Sequence, residues 1–134
     1  MSNKLITDAG KTELLRLGFK AQEAGGAFSF IALGGDSSTG AQGSAGKFAE
    51  VSGYDYERVE TTVDSLEDKT ITISGTFTET NYAPTDGSGT IKEIGLCNSD
   101  VIKNEEIFFM YAEVPKIIKT GDISLQYTIV ISID

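Results

Sequence analysis

Histidine is absent from this chain, which removes the commonest general base and the commonest metal ligand together. There is one cysteine, Cys97, so no internal disulfide can form and no oxidising compartment is implied. Positive charge is scarce. Eleven basic residues stand against 20 acidic ones, a net charge of −9, whereas a surface that binds phosphates needs the opposite balance. That argues against a nucleic-acid partner and against anionic membranes. Long apolar runs are also missing: Ile107 to Ala112 and Ile129 to Ile131 are strand-sized, and the opening "MSNKLITDAG" lacks the apolar core of a leader. The expectation is a protein made in the cytoplasm without a signal peptide, reaching the outside only by release or assembly.

What is present suits one globular domain. The chain has 134 residues, 40% of them hydrophobic, enough for a core without metals or disulfide staples. "TDAGKTELLRLGFKAQEAGG" reads as the single helix, capped by Thr7 or Asp8 and stopped at Gly18 or at Gly25-Gly26. Its expected apolar stripe is Ala9, Leu14, Leu15, Leu17 and Ala21. "FSFIALGG" is a short buried strand. The pattern then turns to period two: Ile71, Ile73 and Phe77 alternate with Thr70, Thr72, Ser74 and Thr76. Ile123, Leu125, Tyr127, Ile129, Ile131 and Ile133 share one face of the last strand, with Val130 an apolar residue on the other. "YERVETTVDSL", "TIKEIGLC" and "EEIFFMYAEV" complete the set, and "TDGSG" and "KTGD" supply turns. The expected fold is α+β: one N-terminal helix packed on a mostly antiparallel sheet, as one domain spanning residues 1–134.

The glycine-rich stretch "GGDSSTGAQGSAGKF" invites a phosphate-binding reading and fails it. Counting back from Gly46-Lys47, a P-loop needs its first glycine at Ala41, and a Ser or Thr where Phe48 stands. No helix follows whose N-terminus could hold an anion. The stretch reads as a surface loop. Asp86 in "TDGSGT" lacks the alternating oxygens of an EF-hand and reads as a turn residue. The acid pairs Asp55/Glu57 and Glu105/Glu106 fit solvated strand edges better than a glycosidase couple. Cys97 reads as a buried, inert thiol, with no histidine to activate it. Arg58 and Lys92 read as outward-pointing sheet residues. No catalytic, metal or cofactor constellation emerges, so an enzyme is not expected.

Several segments in register resemble the phage tail-collar fibre family. "LITDAGKTELLRL" is similar to that family's opening Leu/Ile-Thr-Asn-Ala-Gly and short helix, and "FSFIALGGD" to its strand ending in a glycine turn. "TIKEIGLCNSD" resembles its Arg-Glu-Ile-Gly-Leu-Phe-Asp strand, with Lys92 in place of arginine and Cys97-Asn98 in place of Phe-Asp. "IFFMYAEVPKIIKTGD" and "ISLQYTIVISI" resemble the two strands that follow. The family's middle signature, Asn-Glu-Val followed shortly by Arg, is matched loosely by "FAEVSGYDYERVE", in which Glu50 and Arg58 stand further apart. Members commonly continue into a long fibre, whereas this sequence ends at Asp134 after its last strand, without a shaft or tip.

The resemblance implies a non-catalytic structural protein of a phage tail, baseplate or phage-derived particle. It would act as a fibre root or adaptor, located in the virion. It also implies a homo-oligomer, with a trimer favoured, and other tail or baseplate proteins as partners. Ile107, Phe108, Phe109, Met110 and Tyr111 are the candidate subunit or partner interface, although a strand buried on both faces within one chain explains them equally well. Alternatives are a carbohydrate- or host-surface-binding module, with Tyr54, Tyr56 and Tyr82 available for stacking, and a capsid decoration protein.

Overall fold

The structure is a computed structural model that describes residues 7–19, 27–35, 48–100 and 107–134. Thr7 caps the helix: its Oγ1 accepts the Gly10 N–H at 3.0 Å, satisfying one amide of the first turn. Helix α1 then runs Asp8–Phe19, with Asp8 at its positive end and Arg16 in its last turn. Only Leu15 and Phe19 of the helix are buried. Their spacing of four places both on one narrow face. Leu14, Leu17 and Ala9, expected in the stripe, are exposed instead, and Ala21 lies outside the described residues.

Seven strands follow among the described residues: β1 Phe30–Gly34, β2 Val59–Glu60, β3 Thr62–Glu67, β4 Thr70–Phe77, β5 Thr90–Cys97, β6 Phe108–Ile118 and β7 Leu125–Ser132. Every pairing between them is antiparallel. The expected architecture of one N-terminal helix packed on antiparallel sheet is the one observed, with the sheet divided in two. One sheet has the order β2-β1-β5-β6 and the other β3-β4-β7.

Thr61 is where the division happens. Before it, Val59 and Glu60 pair with Ile31 and Phe30 of β1, and after it Thr62 pairs with Ser74 of β4. Its N–H donates to the Ser29 carbonyl at 2.8 Å, so what the sequence presents as one strand leaves one sheet and enters the other. That crossing closes one side of the molecule. On the opposite side β6 and β7, joined by the turn at Gly121-Asp122, are both sheet edges.

The core lies between the layers. Ile31, Leu33, Ile94 and Leu96 come from the first sheet, Ile71, Ile73, Phe77 and Ile129 from the second, and Leu15 and Phe19 from α1. Period two holds along β7: Leu125, Tyr127, Ile129 and Ile131 turn inward while Gln126, Thr128, Val130 and Ser132 are exposed. The β3–β4 hairpin turns on Asp68 and Lys69, both with positive φ (51° and 63°), the handedness that matches strand twist. The Lys69 N–H reaches Thr12 Oγ1 at 3.1 Å and ties this turn to the helix.

Candidate functional site

The outer face of the four-stranded sheet carries a second cluster, separate from the core. The ladder sets Ala32 opposite Gly95 and Gly95 opposite Tyr111, so two adjacent positions of this face, Ala32 and Gly95, carry no bulky side chain. Aromatic rings fill the space. Phe48 stacks on Tyr111 with centroids 5.0 Å apart, and Phe108 lies 5.4 Å from Phe48 and 5.1 Å from Tyr111. Gly95 is required here, because a Cβ at that position would sit 2.6 Å from the Phe108 ring.

Glu50 and Arg58 reach the same face from one stretch of chain that passes β1 twice. Glu50 bridges Gly34, the Val51 N–H donates to Leu33 O, and eight residues later Val59 pairs with Ile31. Between the two passes the chain reverses through Gly53, Tyr54 and Asp55, all with positive φ. Positions 50 and 58 therefore lie two β1 residues apart, which is the repeat of one sheet face. The side chains meet in a two-point ion pair: Arg58 Nη2 to Glu50 Oε1 at 2.7 Å and Nε to Oε2 at 2.8 Å. Solvent reaches 0% of the Arg58 side chain and 5% of that of Glu50.

Neighbouring groups complete the pair. The Tyr56 hydroxyl donates to Glu50 Oε2 and accepts the Leu33 N–H at 3.1 Å. Arg58 Nη1 donates to Ser99 O at 3.0 Å, and the guanidinium lies 5.4 Å from the centre of the Phe108 ring. Burial, reinforced by the Glu50 charge and the hydrogen bond to it, pushes the Tyr56 phenol well above its ordinary pKa. Arg58 is thus no outward sheet residue. Its guanidinium engages Glu50, Ser99 and Phe108, an arrangement that holds both passes of the chain against β1.

The five candidate interface residues separate according to a bulge. Leu96 pairs with Met110 but Cys97 pairs with Phe108, so β6 carries an extra residue at Phe109. The bulge lets Phe108 and Tyr111, three residues apart, share the outer face. Met110 packs against the core. Phe109 swings toward the helix, 4.7 Å edge-on from Phe19 and 5.3 Å from Phe28, yet remains 46% exposed. Ile107 is 60% exposed, and its N–H donates to Asn98 Oδ1 at 2.8 Å. A second register shift follows, between Ile91 and Glu93, and Pro115 falls within it on β6, the sheet edge, where an N–H is not needed.

Other residues singled out in the sequence do not converge on these. Cys97 is buried, with its thiol 3.5 Å from Ser99 O. Lys92, Asp55 and Glu57 are on the surface, whereas Glu105, Glu106 and the glycine-rich stretch from Asp36 to Lys47 lie outside the described residues. Asp86 holds its own turn, accepting the Ser88 N–H at 3.0 Å and the Tyr54 hydroxyl at 2.8 Å. The Ser88 hydroxyl, which also donates to Asp86 Oδ1, then the Tyr54 hydroxyl and the Ser88 N–H lower its carboxyl pKa. Of the three tyrosines considered for stacking, Tyr54 is exposed, Tyr82 is buried, and Tyr56 is committed to Glu50. Beside Asp86 is a shallow cleft of about 430 Å³ lined by Pro84, Thr85, Gly87, Thr120, Gly121 and Asp122. Among the described residues no group of three or more His, Cys, Asp or Glu could hold a metal, and no helix is long and apolar enough to cross a membrane.

No protein-family model, no curated protein and no solved structure matches the chain.

Proposed function

We propose that this chain is a non-catalytic structural protein of a phage tail, baseplate or phage-derived particle, acting as a fibre-root or adaptor domain that self-associates and docks onto other tail proteins. The observation that carries the reading is the arrangement of polar and apolar groups. Glu50 and Arg58 neutralise each other inside the fold. Large apolar side chains, Ile107, Phe109 and Val130, stand on edge strands or immediately beside them. The net charge of −9 would keep the free protein soluble before assembly.

Fractionating particles released from cells that make the protein tests this. Co-purification with tail-like particles in fixed stoichiometry supports the proposal, and recovery solely as free protein counts against it. A second reading, a carbohydrate-binding module, is favoured by one feature: the cleft beside Asp86 and the exposed Tyr54. Specific capture by a glycan array, lost in Tyr54→Ala, would replace the structural reading with this one.

A further inference from the structure

Among the described residues the two sheets have four outer strands, and three are guarded. β2 has only two residues. β3 carries Asp64, Glu67 and a register shift between Val63 and Ser65. β6 carries Glu113, Pro115 and Lys116. Short length, charge, proline and bulges are the devices by which sheet edges avoid pairing with other chains. β7 has none of them. From Ile123 to Ile133 it reads "ISLQYTIVISI", without a charged residue or a proline, in a chain whose net charge is −9.

The ladder tells which groups of β7 are available. The Ile133 N–H donates to the Lys69 carbonyl at 3.0 Å, and the β4–β7 register continues in phase from that pair. Odd-numbered residues therefore turn their N–H and C=O toward β4, and Gln126, Thr128, Val130 and Ser132 turn theirs to the open side. Among the described residues no strand lies there. The core-facing side chains Leu125, Tyr127, Ile131 and Ile133 are only partly buried for the same reason, being uncovered on their flank. Val130 on the other face is 61% exposed.

We infer that β7 is a self-pairing edge: two copies of this chain join their β7 strands antiparallel about a twofold axis through Ile129. This goes beyond the function proposed above, because it stands on the strand edge whatever particle the chain belongs to. The register sets Thr128 opposite Val130 of the second copy and Gln126 opposite its Ser132, so all four outward-turned residues on each strand find partners. It sets no acidic side chain directly opposite another. A second copy is the fitting occupant because two chains of net charge −9 can meet along an uncharged edge without like charges directly opposed. The two three-stranded sheets become one six-stranded sheet.

The test is the absolute mass by light scattering of the wild type, Val130→Lys and Thr128→Pro, over a dilution series. The wild type is expected at twice the 14.3 kDa of one chain. Both variants are expected as monomers with the wild-type circular dichroism, since Thr128→Pro removes an N–H that faces the open edge and Val130→Lys changes a side chain that is 61% exposed and sets a charge beside the seam. If Thr128→Pro fails to fold, Val130→Lys alone decides. An equal mixture of Thr128→Cys and Val130→Cys chains is expected to give a disulfide-linked heterodimer on mild oxidation. A wild-type monomer at every concentration, a trimer (the count that the family resemblance implies), or a dimer that survives Val130→Lys would overturn the inference. A dimer absent from any particle would leave the inference standing and remove the functional proposal.

Discussion

Glu50 and Arg58 lie eight residues apart in the chain and on neighbouring same-face positions beside β1, where their side chains form a two-point ion pair almost wholly out of water. The pair fastens the Val51–Glu57 loop to the sheet and anchors the rings of Phe108 and, through Tyr56, the Leu33 amide. Breaking one partner leaves the other charged and buried. Arg58→Met is therefore expected to lower stability by about 3–5 kcal/mol, and the double variant Glu50→Gln/Arg58→Met by clearly less than the sum of the single ones. Urea unfolding of the four proteins measures both numbers.

Alkaline pH should act through Tyr56. Its folded-state pKa is raised well above the ordinary 10.0, so the unfolded chain releases the phenolic proton first. The Tyr56 contribution to stability is unchanged below about pH 10 and falls above it, by up to about 1.4 kcal/mol per pH unit. Lys119, whose pKa is lowered by burial, contributes with the opposite sign. The clean comparison is wild type against Tyr56→Phe: the variant is expected to lose less stability than the wild type between pH 9.5 and 11, roughly the range where phenols titrate.

Gly95→Ala places a methyl against the Phe108 ring, which is itself held by Phe48, Tyr111 and Arg58. The ring must move, at an expected cost of about 1–3 kcal/mol in thermal or urea unfolding. A neutral result would mean that the outer aromatic cluster is loosely packed.

Thr61, at the crossing between sheets, is buried, and among the described residues its hydroxyl has no hydrogen-bond partner. Thr61→Val keeps the shape and removes the orphan polar atom. It is expected to raise stability by about 1 kcal/mol, read as a higher urea midpoint at unchanged slope.

Ile107 and Phe109 look alike in exposure but not in attachment. Phe109 packs on Phe19 and Phe28, so Phe109→Ser is expected to lower stability by about 1–3 kcal/mol. Ile107→Ser is expected to change it by less than about 0.5 kcal/mol. If Ile107 belongs to a docking surface, its variant shows the effect in particle assembly alone.

Much of the fold was legible because it rests on local rules. The helix cap at Thr7 or Asp8, the alternation of β7 and the strand around Phe30–Gly34 follow from side-chain type and period; the structure has the two strands where the sequence places them and settles the cap on Thr7. Thr61 was not legible. A strand that changes sheets keeps its β character throughout, and only the pairing partners before and after it reveal the crossing. The Glu50–Arg58 pair was hidden for a similar reason: spacing of eight means nothing until three consecutive positive-φ residues fold the loop back along β1. Leu14 and Leu17 misled because apolar residues on a helix announce a face, not whether anything covers it.

The most direct test of the central proposal is to locate the protein. Gold-labelled antibody against the chain, applied to particles released from the cells that make it and viewed by electron microscopy, is expected to mark the tail or baseplate at a fixed position. Label found only on free protein, with every tail and baseplate bare, would contradict it.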